Sequence, residues 1–390
     1  MILQYSDDKL VTFEKTTGMT GIFTGNELQL IKNYAKCGEQ TPFIDRLYDL
    51  GIFCGNASRE LHGQLDIPQK PAPYALHIDT TTFCPLHCPQ CYKGDTGDTF
   101  LAWDRYQALI AEAEQLHIFQ IALGGGEPLC HPRIVDMVQA VAGTEMAISI
   151  TTSGSGLTGE RLTDLTHAGL NHIQISLNGS TEAVHSYSRD GFDEAIAALE
   201  LLSGKGISFG VNWVARRDNL DDFPAVVSYV KSLGADNINV LRYKPSPVES
   251  YEKAALNREE FYRLAAMIKQ VRGLTVKTDS AYSNLLVYLN HGRVSANSCG
   301  CGAGRTFAAV TAEGQFKPCS HLQLTHTAGS LGDYLESREL REFLTARVQT
   351  QDCGVCSYQN VCGGCRAICH NVTGDLFAGE TDCPAFKART

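Results

Sequence analysis

The sequence predicts an α/β fold: a partial (β/α)6 TIM-like barrel, preceded by a small α+β module and followed by a cysteine-rich segment. Three observations point there. Strand-length apolar runs alternate with stretches of helical spacing from Tyr74 to about Val276, as expected of parallel strands covered by helices. The segment Pro68-Gln-Lys-Pro-Ala-Pro73 breaks the chain with prolines, which fix φ and remove donors. The 15 cysteines are unevenly spread, with three between Cys84 and Cys91 and nine between Cys299 and Cys383.

Residues 1–70 read as a unit of their own. Strands are expected at Leu10–Phe13 and Gly21–Phe23, then helices at Asn26–Cys37 and near Phe43–Leu50. Residues 74–290 form the barrel. Its strands are expected at Ala75–Ile78, Phe119–Leu123, Ala147–Ile150, His172–Leu177, Phe209–Val214 and Ile238–Leu241. Helical spacing fits Trp103–Leu116, Phe192–Leu202 and Phe223–Leu233. Six units do not fill an eight-unit barrel, so an open barrel is expected, with chemistry at the C-terminal strand ends. A doubly wound sheet fits the same alternation. Residues 295–390 are rich in glycine and cysteine with weak periodicity, and metal is the expected staple.

Composition removes several classes. Hydrophobic residues make up 43% of the 390 and charged residues 19%, a globular balance. The net charge of −10 repels phosphate backbones, so no nucleic acid is expected as partner. No run reaches the roughly 18 apolar residues of a membrane span. The start, MILQYSDDKL, lacks the basic-then-apolar pattern of an export signal. A cytoplasmic chain with reduced thiols is therefore expected, and clustered reduced thiols hold metal rather than forming disulfides.

The first cluster is Cys84-Pro-Leu-His-Cys88-Pro-Gln-Cys91-Tyr92, directly after the first strand. A zinc site normally needs four protein ligands, and His87 or His77 could supply the fourth. A [4Fe–4S] cluster held by three thiolates instead leaves one iron open to a small molecule. The second strand ends in Gly124-Gly-Gly-Glu127-Pro128, where glycines let backbone approach a ligand closely. Both motifs fall at the same end of the expected barrel.

Together they resemble the radical S-adenosylmethionine (SAM) enzymes, which carry Cys-x3-Cys-x2-Cys after the first strand and Gly-Gly-Glu-Pro after the second. The resemblance implies that Cys84, Cys88 and Cys91 ligate a [4Fe–4S] cluster whose open iron binds the amino and carboxylate groups of SAM. Gly125, Gly126 and Glu127 would hold the methionine amino group. Ser176, in Ile175-Ser-Leu-Asn-Gly179, matches a serine near the ribose and carboxylate. Arg189, in His185-Ser-Tyr-Ser-Arg189, matches the arginine that pairs with that carboxylate. Ser153 stands where the family often has Asn-Gly. Gln90 replaces the usual aromatic residue before the third cysteine, with Tyr92 as a substitute for stacking on the adenine.

The C-terminal spacing is Cys299-x-Cys301, Gly314-x4-Cys319, Cys353-x2-Cys356-x5-Cys362-x2-Cys365-x3-Cys369, and Cys383. Counting alone also allows two zinc ions in a double ribbon. The pattern resembles the SPASM extension of radical SAM enzymes, which implies two auxiliary [4Fe–4S] clusters. By that resemblance Cys353, Cys356, Cys362 and Cys383 hold an outer cluster, and Cys301, Cys319 and Cys365 an inner one. Cys362 to Cys365 is one residue shorter than the pattern. Cys299 and Cys369 are additional, and either could be the fourth inner ligand or replace a member of the Cys362-Gly-Gly-Cys365 run.

The resemblance implies reductive cleavage of SAM to a 5′-deoxyadenosyl radical, hydrogen abstraction from substrate, and a flavodoxin- or ferredoxin-type electron donor. Residues 1–70 resemble the winged-helix-like modules that grip a leader peptide, which implies a ribosomally made precursor peptide as substrate and a thioether or carbon–carbon crosslink as product. The alternatives are a structural cap over the barrel opening, a small-molecule cofactor or tetrapyrrole enzyme, a sulfatase-type maturase and a zinc-stabilised binding protein. Arg242, Tyr243 and Lys244 are the acid–base candidates. Asp79 and His77 are expected in supporting roles, and Cys37, Cys54 and Cys130 as ordinary buried thiols.

Overall fold

A computed structural model of the chain describes residues 1–6, 8–65, 70–94, 97–244, 251–292, 300–346, 351–359, 361–380 and 383. The first three strands, β1 (Ile2–Ser6), β2 (Lys9–Glu14) and β3 (Met19–Thr24), form an antiparallel sheet. Seven parallel strands follow: β4 (Ala75–Thr81), β5 (Gln120–Gly125), β6 (Ala147–Thr152), β7 (His172–Ser176), β8 (Ser208–Ala215), β9 (Asn237–Arg242) and β10 (Thr275–Thr278). Two more, β11 (Phe307–Val310) and β12 (Phe316–Lys317), extend the same sheet beyond β4, giving the order β10-β9-β8-β7-β6-β5-β4-β11-β12. All six expected barrel strands are present. β1, β10 and the β11–β12 extension are additional.

The strands bury one face under helices. On β4, Leu76 and Ile78 are fully buried, while the intervening His77 and Asp79 lie on the inner face. Ile121 and Leu123 of β5, Ile148 and Ile150 of β6, and Ile173 and Ile175 of β7 continue the apolar layer. The covering helices include Trp103–Gln115, Ile134–Ala142, Gly159–His167, Phe192–Leu202 and Phe223–Ser232. The inner face is polar, with Thr151, Gln174, Asn212 and Asn239 among its residues. A closed barrel fills its interior with branched side chains; this open one lines its inner face with polar residues.

The N-terminal sheet is covered on both faces, because alternate side chains point opposite ways. Ile2, Val11 and Phe13 join the barrel core, and Phe13 stacks on Phe119 at 5.7 Å. Leu3, Tyr5, Leu10 and Phe23 form a second core with the helices Gly25–Cys37 and Pro42–Asp49. The sheet sits against the N-terminal ends of β4–β6: Gln4 donates to Pro73 O and His117 O, and Lys15 to Thr144 O. That is the end opposite the cysteine loop, so this module is no cap over the mouth. Pro68 and Gln69 of the proline-rich segment lie outside the described residues.

Besides β11 and β12, the described residues of the C-terminal segment form short helices, Leu331–Leu335, Arg338–Ala346, Gln351–Gly354 and Arg366–Thr373. Its apolar residues Phe316, Leu322, Leu331 and Tyr334 belong to the barrel core rather than to a separate one. Among the described residues no helix is long and apolar enough to cross a membrane.

Candidate active site

The cysteine loop leaves β4 at a register shift between Asp79 and Thr81, opposite Gly124 and Gly125 of β5. Backbone contacts grip it from two sides. Gly126 N donates to Thr81 O and Glu127 N to Phe83 O, both at 2.7 Å. On the other side Gln90 N donates to Ser188 O at 3.1 Å, and His87 N to Asp190 Oδ2 at 3.2 Å. The fold therefore brings Cys84, Cys88 and Cys91 together, close enough that charge on Cys88 or Cys91 raises the Cys84 pKa. Burial is the larger cause and pushes the Cys84 thiol up to about 11. Metal binding at these thiols would release protons.

The glycines are required by close approach. Gly125 has φ +119, and a Cβ on it would stand 2.5 Å from Thr81 O. A Cβ on Gly126 would stand 2.1 Å from Phe83 O, in the backbone just before Cys84. Both neighbours are main chain, which cannot step aside.

Glu127 is buried beneath this turn, and four donors of the chain point at its carboxylate. Leu129 N (3.1 Å) and Thr152 Oγ1 (2.6 Å) donate to Oε1; Ser153 N (2.9 Å) and Ser153 Oγ (2.5 Å) donate to Oε2. Glu127 and Ser153 are thus committed to each other and tie the end of β5 to the end of β6. Burial raises the Glu127 pKa, against the lowering by these hydrogen bonds.

Ser176 closes β7 and is 8% exposed. Beyond it Asn178 is a hub: its side chain donates to Ser188 Oγ and accepts from Val214 N, and its backbone N donates to His185 Nδ1. This fixes the turn that carries Arg189. The Arg189 Nε is buried without a hydrogen-bond partner among the described residues, a donor that suits a ligand carboxylate.

His185 shares that turn, with Nε2 bonded to Asp190 O at 3.3 Å. Burial first, and then Arg189, lower its pKa to about 4 from 6.5. In the unfolded chain it takes a proton near pH 6.5, in the folded chain only near 4. Stability is therefore complete above pH 6.5 and falls as pH drops through the window between the two values. The loss is about 3 kcal/mol in all and about 2 kcal/mol by pH 5. Urea unfolding at pH 7 and pH 5 should show this drop in the wild type and a smaller one in His185→Gln. Equal drops would remove His185 as the cause.

At the C-terminal side Cys301, Cys319 and Cys365 are buried; burial first, and then charge on Cys301, raises the pKa of Cys319 and of Cys365. Lys244 lies beside them and opposes that rise. Cys353, Cys356, Cys362 and Cys383 line a second cavity, together with Glu380. Cys369 is buried against Arg366, Glu380 and Cys353, on the side of this second set. Cys299 lies outside the described residues. Next to it Gly300 has φ +64, and a Cβ there would stand 1.9 Å from Cys362 O, so the two cysteine segments cross in contact. Among the described residues no three of His, Cys, Asp and Glu are gathered tightly enough for a single metal ion. A tetrahedral zinc with Zn–S near 2.3 Å would draw its thiolates to about 3.8 Å of one another.

The other expected residues take other roles. Arg242 pairs with the buried Glu380, Lys244 with Asp279 at 2.5 Å, and Tyr243 is 2% exposed, so all three are internal rather than loop residues in solvent. Asp79 pairs with Lys93. Cys37, expected to be buried, is exposed. Tyr92 stacks on His321, which occupies a face expected to meet adenine. Sequence reading missed Lys93, Lys317, His321 and Glu380. Adjacency to Cys91, Cys319 and Cys383 was the available signal.

Residues 78–230 match the Radical SAM superfamily. The chain is 24% identical over 370 residues to the AdoMet-dependent heme synthase of Oleidesulfovibrio alaskensis, spanning 82% of this chain and 91% of that protein. It is 26% identical over 334 residues to the PqqA peptide cyclase of Streptomyces rochei, spanning 81% and 90%. In structure it is similar to Streptococcus suis SuiB bound to S-adenosylmethionine, with TM-score 0.72, 16% identity, and coverage of 97% of this chain and 99% of that one. SuiB has also been solved bound to the precursor peptide SuiA, with TM-score 0.70 to this chain. The three gathered cysteines, the glycine turn and these likenesses agree: residues 78–230 of the chain carry a radical SAM superfamily domain.

Proposed function

We propose that this enzyme modifies a ribosomally made precursor peptide, installing a thioether or carbon–carbon crosslink or a related oxidation. The observation that carries the peptide reading is the N-terminal sheet. Its β3 strand pairs only with β2 among the described residues, leaving an edge to which an extended peptide can add. Met19, at the start of β3, is 39% exposed. The likeness to SuiB runs through this module, and SuiB binds a precursor peptide.

In this reading Cys84, Cys88 and Cys91 hold a [4Fe–4S] cluster. The group and SAM, when bound, supply a 5′-deoxyadenosyl radical that takes a hydrogen atom from the substrate. Gly125 and Gly126 present backbone to the SAM amino group, and Ser176 and Arg189 take its carboxylate. Glu127 and Ser153 act by fixing the strand ends beneath that backbone. Cys301, Cys319 and Cys365 hold an inner auxiliary cluster, with Cys299 as fourth ligand because Cys369 keeps company with the other set. Cys353, Cys356, Cys362 and Cys383 hold an outer cluster. Three thiolates in the barrel set leave one iron of a four-iron cluster open to SAM, whereas a zinc site would want a fourth protein ligand. A flavodoxin- or ferredoxin-type protein supplies the electron.

The test is to incubate the reconstituted, reduced enzyme with SAM and the precursor peptide encoded beside its gene. Mass spectrometry should find 5′-deoxyadenosine and a peptide that has lost two hydrogens or gained a crosslink. Turnover with a tetrapyrrole and not with peptide would overturn the substrate class while leaving the radical chemistry standing.

A further inference from the structure

The two ends of the chemistry-bearing chain touch at one place. Tyr92, the residue after Cys91, stacks on His321 with ring centroids 4.0 Å apart and planes 29° from parallel. His321 is two residues from Cys319, and its backbone N donates to Cys319 Sγ at 3.4 Å. From Cys91 to Cys319 the path is therefore covalent except for one ring contact and one hydrogen bond. Neighbouring groups hold the contact in place. Lys93 lies 5.3 Å from the Tyr92 ring centroid and pairs with Asp79 of β4, while Lys317 of β12 donates to Ser320 O at 3.0 Å. β11, which brings this segment in, pairs with β4 along Phe307–Val310.

We propose that the Tyr92–His321 stack conducts single electrons between the barrel cysteine set and the inner C-terminal set. The proposal rests on the reading that each set holds a four-iron cluster. One electron leaves the reduced inner cluster, which passes from the 1+ to the 2+ state. It enters the barrel cluster, which passes from 2+ to 1+, and no proton moves. An electron left on the inner cluster by substrate oxidation can thereby return to the site that spends it. Neither ring is needed to ligate iron, so both can be changed with the clusters in place.

The experiment uses the fully reconstituted chain with SAM bound, so that the barrel cluster has its own signal in electron paramagnetic resonance. A photoexcited deazaflavin injects electrons, and freeze-quenched samples follow their redistribution between the two sets. Tyr92→Leu and His321→Leu should each slow redistribution by roughly tenfold with iron content unchanged, and Tyr92→Phe should stay near the wild-type rate. Redistribution at the wild-type rate in both leucine variants would overturn the proposal. Loss of iron from either leucine variant would also overturn it, since the pair would then be holding the site together. Fewer than about 12 iron per wild-type chain would instead strike the underlying cluster reading.

Discussion

Replacing Cys84, Cys88 and Cys91 together with alanine is expected to abolish 5′-deoxyadenosine formation and lower the iron content from about 12 to about 8 per chain. The argument rests on what holds the loop. Its anchors are main-chain hydrogen bonds, from Gly126 N to Thr81 O, Glu127 N to Phe83 O and Gln90 N to Ser188 O, together with the Lys93–Asp79 ion pair. None of these uses a thiol. On the proposed function the triple variant should therefore fold, keep its C-terminal iron and retain peptide binding, while losing the site proposed to cleave SAM. Chromatography of deoxyadenosine, iron analysis and a leader-peptide titration measure the three separately. Deoxyadenosine from the triple variant would sink the assignment of these cysteines. Loss of all iron would mean that the sets are not independent.

Much of this was legible because the signals are local. The barrel strands announce themselves as apolar runs such as Ile148-Ser-Ile150, and the three barrel thiols sit within eight residues of one another, so spacing alone brings them near. What stayed hidden depends on long-range contact. β10 is a four-residue strand, Thr275–Thr278, whose residues are half-buried or exposed, so it shows no apolar run. β11 reads as Phe-Ala-Ala-Val in a glycine-rich stretch, and only its pairing with β4, more than 200 residues away, makes it a strand. Glu127 was legible as part of a motif, but its engagement by Thr152 and Ser153 was not, since those residues lie one strand further on. The Tyr92–His321 contact joins residues with no shared pattern, and no periodicity could have found it.

Removal of the Glu127 carboxylate should cost the most stability of any single change at the site. Four donors converge on it: Leu129 N, Thr152 Oγ1, Ser153 N and Ser153 Oγ. The two hydroxyls can rotate toward other acceptors, but the two backbone N–H groups cannot. Glu127→Ala leaves them facing a cavity and is expected to destabilise the chain by about 3–5 kcal/mol, the scale of an uncompensated buried polar site. Glu127→Gln separates the contributions. Whichever way the amide points, its NH2 faces one of those N–H groups, so one backbone donor is orphaned at about 1–3 kcal/mol. The glutamine variant should fold and still bind SAM more weakly, because the end of β6 no longer fixes the Gly125–Gly126 backbone. Urea denaturation gives the stability term and a SAM titration gives the affinity. A double-mutant cycle of Glu127→Gln with Ser153→Ala should show coupling, since both variants remove members of one network. Wild-type stability in Glu127→Ala, or additive effects in the cycle, would mean that the strand ends are held by something other than this carboxylate.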